Sequence, residues 1–246
     1  MKGSTQLRPS VEKVFLNKKR APVITITRIS TYPSGRSVGF VYNVLPDGRL
    51  VIATARHVFL LEDDPSKYLF GLADYATKLE LQDYAYSRKE NDDIVFLIMA
   101  PVPGFMPIVF GRPRSEDVLA RSIYLARNCI GEGNYPLGLT VQENVEIHYD
   151  TIVFRRNEGI PSERVDSSDI SRLEELRSEG ASELRLAQYY TRAGFSGSPI
   201  WDDLWNLHGM SVGGTAGNSP HGDQGLFYPS SYLDQVWEEI NSSLSI

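Results

Sequence analysis

The sequence predicts an all-β fold of the sandwich or barrel type, with two helices added to it. Short runs rich in β-branched and aromatic residues recur along the chain, and Gly, Pro and Asp turns separate them. At 246 residues the chain can bury a sizeable core, and all-β proteins of this length often form one domain. Its content of 41% hydrophobic and 23% charged residues is ordinary for a globular protein.

The predicted strands follow an N-terminal extension, residues 1–21. The turn sequence Pro46-Asp47-Gly48 joins two of them as a hairpin, because Asp-Gly favours a tight connection between antiparallel strands. The runs interpreted as strands are Val23–Thr27, Val38–Tyr42, Leu50–Thr54, Ile94–Met99, Ile123–Ala126, Val145–Phe154, Pro199–Trp201 and Leu207–Val212.

Two segments instead have the spacing of helices. The first, Ser167–Ser178, begins with a serine suited to an N-cap and then repeats apolar residues at every third position. The second, Ser231–Ser242, carries four apolar residues on one face. The apolar positions are Ile170, Leu173 and Leu176 in the first segment and Leu233, Val236, Trp237 and Ile240 in the second.

Charge and cysteine content argue against several classes of protein. The formal net charge is −6, and nucleic-acid binding draws on clustered Lys and Arg, so no nucleic-acid partner is expected. The single cysteine, Cys129, has no intrachain partner for a disulfide. The N-terminal stretch lacks the apolar core of a secretory signal, and no apolar run is long enough for a membrane span. These features predict a reduced, cytoplasmic protein.

One Gly-rich hexapeptide, Gly194–Pro199, has the features of a serine nucleophile loop. Such a serine needs its hydroxyl exposed on a tight turn, with backbone N–H groups aimed at the oxyanion that forms during attack. Glycines on both sides of Ser196 allow that turn, because glycine reaches positive φ without steric cost. Ser196 is therefore the candidate nucleophile, and a Gly/Ser loop without chemistry is the alternative.

A histidine and an aspartate each lie at the end of an apolar strand. His57 follows the strand Leu50–Thr54, which would hold a general base that titrates near neutral pH. Asp93 precedes the strand Ile94–Met99, where a carboxylate would be largely buried and would need a partner such as an imidazole N–H. Each signal alone also fits a satisfied core histidine or an acidic surface turn.

Together, in the order His57, Asp93 and Ser196, these motifs resemble the trypsin-like (chymotrypsin-fold) serine peptidases, and most of all the disulfide-free bacterial branch typified by the HtrA proteases. The resemblance covers about residues 22–242. The matching segments are Ser37–Phe40, Thr54–Val58, Asp93–Leu97, Gly133–Val141, Gly194–Pro199, Leu207–Gly214 and Gly225–Ser230.

The resemblance implies two six-stranded antiparallel β-barrels, at about residues 22–112 and 118–230, which together form a peptidase domain. The C-terminal helix, residues 231–242, follows the second barrel. The helix at Ser167–Ser178 is then a short helical insertion in the second barrel.

The resemblance also implies a reaction. His57 takes the proton from Ser196 as the hydroxyl attacks a peptide carbonyl, and Asp93 orients the imidazole. Asp92 is the weaker candidate for this acid, because in the family the acid directly precedes the apolar strand. The backbone N–H groups of Gly194 and Ser196 would form the oxyanion hole. No cofactor and no metal is implied, and the other histidines are scattered along the chain.

A protein or peptide substrate would bind, by the same resemblance, as an extended strand along Val212, Gly213 and Gly214. The floor of its primary pocket would be near Tyr190 and Thr191. Basic-specific relatives have an acidic residue at the position of Tyr190, so we expect no strong preference for Arg or Lys at the cleaved position.

Two features depart from the family. Phe195 stands where trypsin and its zymogen relatives keep an aspartate that pairs with a newly freed N-terminus, so that activation route is not expected here. The stretch 155–187 is longer and more charged than usual. It is either a surface insertion or a loop through which a regulatory partner orders the oxyanion turn.

Two other functions stay open at this point. One is a catalytically inactive trypsin-fold module that only binds peptides, against which the complete set of three residues argues. The other is a virus-type processing protease cut from a polyprotein.

Overall fold

The computed structural model describes residues 17, 19–28, 36–59, 64–72, 77–113, 118–129, 137–147, 151–154, 167–190, 194–214 and 224–243. These residues form two β-sheets and two helices. The first sheet consists of β1 (Val23–Arg28), β2 (Arg36–Val44), β3 (Leu50–Thr54), β4 (Tyr68–Gly71), β5 (Lys78–Leu79), β6 (Leu81–Tyr86) and β7 (Val95–Met99), in the spatial order β5-β4-β1-β2-β3-β7-β6.

The second sheet closes into a barrel in the order β10-β11-β14-β13-β12-β8-β9. Its strands are β8 (Val118–Asn128), β9 (Leu137–Ile147), β10 (Thr151–Phe154), β11 (Arg185–Tyr190), β12 (Pro199–Asp202), β13 (Leu207–Gly214) and β14 (Gln224–Pro229). The helices are α1 (Ser167–Ser178), between β10 and β11, and α2 (Ser230–Asn241), after β14. Neither of these helices is long and apolar enough to cross a lipid bilayer.

The predicted all-β class and both predicted helices are confirmed, but the strand count differs. Each sheet has seven strands in the described part of the chain rather than six, because the short strands β5 and β10, of two and four residues, add to the count. Strand β5 is an edge of the first sheet, and β10 lies between β9 and β11 in the closed barrel. The run Val145–Phe154, predicted as one strand, divides between β9 and β10, with Ile152 paired to Ile147. The limits of the N-terminal extension and of the peptidase domain stay predictions.

One strand pair also departs from the antiparallel prediction. Strand β10 pairs with β11 in parallel, with Thr151 opposite Leu186. Parallel neighbours need a long crossover connection, and residues 155–184, which include α1, provide it. The insertion is therefore part of the barrel's topology.

Strands β3 and β7 are buried along their whole length because they separate two apolar cores. Alternate residues of a strand point to opposite faces. On β3, Val51 and Ala53 belong to the core shared with the second barrel and α2, whereas Ile52 belongs to the core inside the first sheet. Thr54 at the end of β3 pairs with Val95 at the start of β7. Residues just after β3 and just before β7 are therefore neighbours in space.

Helix α2 packs against β13 and β14 of the second barrel and also contacts the first sheet. The ring of Trp237 lies 5.2 Å from the ring of Phe96 on β7 and 6.3 Å from the ring of Tyr42 on β2. Asp234 accepts hydrogen bonds from the Tyr42 hydroxyl and from the guanidinium of Arg112, whose Nη2 lies 2.6 Å away. The helix therefore holds the two halves of the chain together.

A buried carboxylate organises the hairpin between β12 and β13. Asp202 is 4% exposed, and its Oδ1 accepts hydrogen bonds from the backbone N–H groups of Leu204 and Asn206 at 2.8 and 2.9 Å. Its Oδ2 lies 2.9 Å from the Asn206 side-chain nitrogen and 3.0 Å from Nε2 of the buried His208. Burial opposes ionisation, but these hydrogen bonds outweigh it and lower the pKa of Asp202.

We expect Asp202→Ala to lower the free energy of unfolding by about 3–5 kcal/mol, because it leaves several buried donors without their acceptor. The control is Asp203→Asn, which retains an acceptor for the Tyr124 hydroxyl 3.1 Å away. Urea denaturation of both variants measures the difference. Equal losses in the two variants would contradict the role given to Asp202.

Candidate active site

His57 and Asp93 are neighbours because β3 pairs with β7. A 3₁₀ turn, Arg56–Phe59, follows β3 and carries His57, while Asp93 lies two residues before β7. Asp93 Oδ2 lies 2.6 Å from Nδ1 of the imidazole. Asp93 Oδ1 accepts a hydrogen bond of 2.6 Å from the His57 backbone N–H. The carboxylate therefore fixes both the ring and the backbone of the histidine.

Ser196 reaches the other side of the same imidazole. Its Oγ lies 2.8 Å from Nε2 of His57. The backbone N–H of Val38, on β2, donates to the Ser196 carbonyl at 3.0 Å, and the N–H of Gly197 donates to the carbonyl of Ser211, on β13, at 2.8 Å. Both sheets therefore hold the serine turn, which lies at the seam between them.

The backbone of this turn requires its two glycines. Gly194 has a φ of 96° and Gly197 a φ of 79°, in the left-handed region that glycine enters without strain. The N–H of Ser198 donates to the carbonyl of Phe195 at 2.8 Å and closes the turn. Phe195, between the glycine and the serine, is buried. The sequence prediction of a tight glycine turn agrees with this geometry.

The contact with Asp93 raises the pKa of His57. The His57 side chain is 37% exposed and the Asp93 side chain 25% exposed. Burial disfavours the imidazolium, but the hydrogen bond from His57 to Asp93 and the negative charge of Asp93 outweigh it and raise the pKa of His57. The imidazole is thus suited to accept a proton and to hold it briefly.

Asp92 ends a turn, because its backbone N–H donates to the Lys89 carbonyl at 3.1 Å, but its side chain is not on the surface. It is 1% exposed, and its Oδ2 accepts hydrogen bonds from the Ser87 hydroxyl at 2.6 Å and from the Tyr232 hydroxyl at 2.5 Å. Because Tyr232 belongs to α2, Asp92 attaches the turn before β7 to that helix. The two adjacent aspartates therefore have different partners, and only Asp93 contacts the histidine in the described structure.

Four of the five residues predicted to bind substrate lie at the ends of two barrel strands. Val212, Gly213 and Gly214 form the end of β13, where Val212 is buried and the two glycines are half-buried. Tyr190 is the last residue of β11 and pairs with β14 next to the position where Gly214 pairs with it. Thr191 lies outside the described residues, and the pocket roles of these residues stay predictions.

Sequence reasoning gave no role to two residues that touch the site. The hydroxyl of Tyr228 accepts a hydrogen bond of 3.2 Å from the backbone N–H of Asp93. The backbone N–H of Asn128 donates to the carbonyl of Gly194 at 3.0 Å. Each contact joins two residues that are far apart in the sequence, and at least one partner is a backbone group. No local sequence motif predicts such a contact.

No group of three His, Cys, Asp or Glu side chains in the described ranges is arranged to hold a metal ion. His208 is buried and paired with Asp202, which is a structural role. His148 and His221 lie outside the described residues.

No protein-family model and no curated protein matches the sequence. Solved structures nevertheless share its fold. A serine endoprotease from Yersinia pestis has a TM-score of 0.56 and 14% identity over 96% of this chain and 68% of its own. Rv3671c from M. tuberculosis H37Rv, in an inactive form, has a TM-score of 0.53 and 14% identity over 97% of both chains.

A third structure, kallikrein-related peptidase 10 in complex with Zn2+, has a TM-score of 0.54 and 12% identity over 90% of this chain and 96% of its own. These similarities, with the two β-sheets and the helix after the second, define the class: the chain has the trypsin-like serine protease fold. The predicted membership of the HtrA-like branch within that class stays a prediction.

Proposed function

We propose that this chain is a serine endopeptidase that hydrolyses peptide bonds through Ser196, His57 and Asp93. The proposal is supported by the two hydrogen bonds that run from Asp93 through His57 to Ser196, with lengths of 2.6 and 2.8 Å. A general base must lie within hydrogen-bonding reach of the proton that it removes, and His57 meets this condition. The trypsin-like fold is the second support.

In the first half of the reaction, Ser196 Oγ forms a bond to the carbonyl carbon of the substrate while Nε2 of His57 takes the hydroxyl proton. The negative charge moves to the carbonyl oxygen, which the N–H groups of Gly194 and Ser196 stabilise. The C–N bond then breaks, and His57 gives the proton to the departing amine. This leaves an acyl-enzyme on Ser196.

In the second half, water attacks the acyl-enzyme carbonyl and His57 takes one of its protons. Collapse of the new tetrahedral intermediate breaks the bond to Ser196, and His57 returns the proton to Oγ. Asp93 keeps Nδ1 protonated throughout, so that Nε2 faces the serine as a base. The carboxylate also stabilises the imidazolium that forms twice in each cycle.

The substrate is a protein or peptide that lies as an added strand along the end of β13. The insertion, residues 155–187, is the proposed contact for a regulatory partner. The side-chain amide of Asn91 donates a hydrogen bond to the carbonyl of Glu179, just after α1. A partner that moves α1 would therefore act on the turn that carries Asp93. A cytoplasmic location also stays a prediction.

The proposal is tested with a fluorophosphonate probe, which reacts with activated serines. We expect a covalent adduct on wild-type protein, mapped by peptide mass to Ser196, and no adduct on Ser196→Ala. The control Ser182→Ala changes an exposed serine and should label like wild type. Absence of a Ser196 adduct on correctly folded wild-type protein would support the inactive peptide-binding module instead.

A further inference from the structure

The turn that carries Ser196 is fixed at two backbone carbonyls. The Ser196 carbonyl accepts from the N–H of Val38, and the Gly194 carbonyl accepts from the N–H of Asn128, each at 3.0 Å. The Gly194 carbonyl belongs to the peptide unit that lies between the N–H groups of Gly194 and Ser196. These are the two donors of the proposed oxyanion hole, so the orientation of this peptide unit decides where they point.

Asn128 is itself held by the opposite sheet. Its side chain is fully buried, and its amide nitrogen donates to the carbonyls of Ile26, on β1, and Ser37, on β2, at 3.0 and 2.9 Å. The two hydrogens of the amide therefore have acceptors in the first sheet, although Asn128 belongs to the second barrel. A buried amide with these partners has little freedom to move.

The fit between Asn128 and Gly194 is close. A Cβ atom at Gly194 would lie 2.7 Å from the Asn128 carbonyl oxygen, so only glycine fits there, and its φ of 96° requires glycine as well. A shift of Asn128 would therefore be transmitted to the turn. Asn128 is 0% exposed and lies behind the turn, so it does not reach the substrate.

We infer that Asn128 is a positioning residue for the oxyanion hole, through which the first sheet fixes the Gly194 peptide; this inference rests on the proposed peptidase function. Only an amide meets the requirement. An aspartate of the same shape would face two carbonyl oxygens without a hydrogen to donate. Asn128→Asp should therefore preserve the volume of the side chain but remove the hydrogen bonds that hold Asn128 to the first sheet. The serine turn would then no longer be held in position.

The test compares wild type, Asn128→Asp and the control Asn43→Asp, in which a half-buried asparagine on β2, away from the serine turn, is changed in the same way. Completed fluorophosphonate labelling counts the folded sites that carry a reactive Ser196. Two values then report on the oxyanion hole. The first is the rate constant of fluorophosphonate labelling, and the second is kcat for cleavage of labelled casein, divided by the number of reactive sites. A loss of folded protein alone lowers the count and leaves the normalised values unchanged.

We expect Asn128→Asp to lower both normalised values by about 100-fold, with KM nearly unchanged, because the hole binds the transition state more strongly than the substrate. Asn43→Asp should match wild type. Normalised values within threefold of wild type would overturn the inference. Wild type without a Ser196 adduct would overturn the proposed peptidase and this inference with it.

Two additions keep the test decisive if Asn128→Asp does not fold. Asn128→Ala removes the same donors without burying a charge and should show the same loss. In isotope-labelled wild type, phosphonylation of Ser196 should shift the backbone and side-chain N–H signals of Asn128, because the oxyanion turn tightens on the adduct. Unchanged Asn128 signals on a fully labelled protein would contradict the coupling.

Discussion

Replacing Asp93 by Asn should lower kcat/KM by about 10⁴-fold and leave the fold intact. The carboxylate lies 2.6 Å from His57 Nδ1 and holds the proton on that nitrogen. An asparagine amide at this position offers an N–H to Nδ1 and favours the tautomer in which Nε2 carries the proton. Nε2 could then no longer accept the proton of Ser196. Steady-state cleavage of labelled casein measures the loss, and thermal unfolding checks the fold.

The pH dependence of the residual activity gives a second measure of the same change. The base works when His57 is neutral, so kcat/KM falls on the acidic side as the pH drops through its pKa. Burial lowers the pKa of His57, while the hydrogen bond and charge of Asp93 raise it to a value above its ordinary one. Asp93→Asn removes both raising effects, so the acidic limb should move to lower pH. If the acidic limb of the pH profile did not move, the role of Asp93 as the partner of His57 would be contradicted.

Asp92→Asn is the matched control for this prediction. It makes the same chemical change one residue earlier, at a carboxylate bonded to Ser87 and Tyr232. We expect it to reduce stability and to change kcat/KM by less than about 10-fold, because the contact between His57 and Asp93 is kept. The reverse order of effects would make Asp92 the acid of the site.

The proximity of His57 and Asp93 could be predicted from the sequence better than the edges of the sheets. His57 and Asp93 could be placed because β3 and β7 are continuous apolar runs, and such runs indicate strands buried on both faces. The strand β6, Leu81–Tyr86, gave no such signal, because three of its six residues are exposed and none is fully buried. The predictions accordingly did not include β6.

The contacts that hold the site together could not be predicted from local sequence. Asn128 bonds to carbonyl oxygens of Ile26 and Ser37, 102 and 91 residues away along the chain. A backbone carbonyl is present at every position, so the identity of Ile26 or Ser37 contains no information about this contact. Strand β10 is a similar case, because its parallel pairing depends on the path of the insertion and not on its own four residues.

Gly197→Ala should lower kcat/KM by at least about 100-fold, because the added methyl group has no room. An ideal Cβ at Gly197 would lie 2.1 Å from the Val38 carbonyl oxygen and 2.2 Å from Thr54 Oγ1. These two atoms are hydrogen-bonded to each other at 2.8 Å, and the first belongs to the backbone of β2. Neither of these two atoms can move without disturbing their hydrogen bond, so the serine turn itself must shift. A displacement of about 1 Å in a catalytic group can lower the rate by about 100-fold.

Gly104→Ala separates this clash from backbone strain. Gly104 has a φ of 71°, close to the 79° of Gly197, but nothing lies within 4 Å of an added Cβ. Both variants bear the cost of a left-handed alanine, about 1–2 kcal/mol, and only Gly197→Ala meets the backbone of β2. Urea denaturation should show the strain alone in Gly104→Ala and a larger loss of stability in Gly197→Ala, because the clash adds to the strain. The kcat per labelled site should fall in Gly197→Ala alone. Equal kcat in the two variants would mean that close packing of β2 against the turn does not position Ser196.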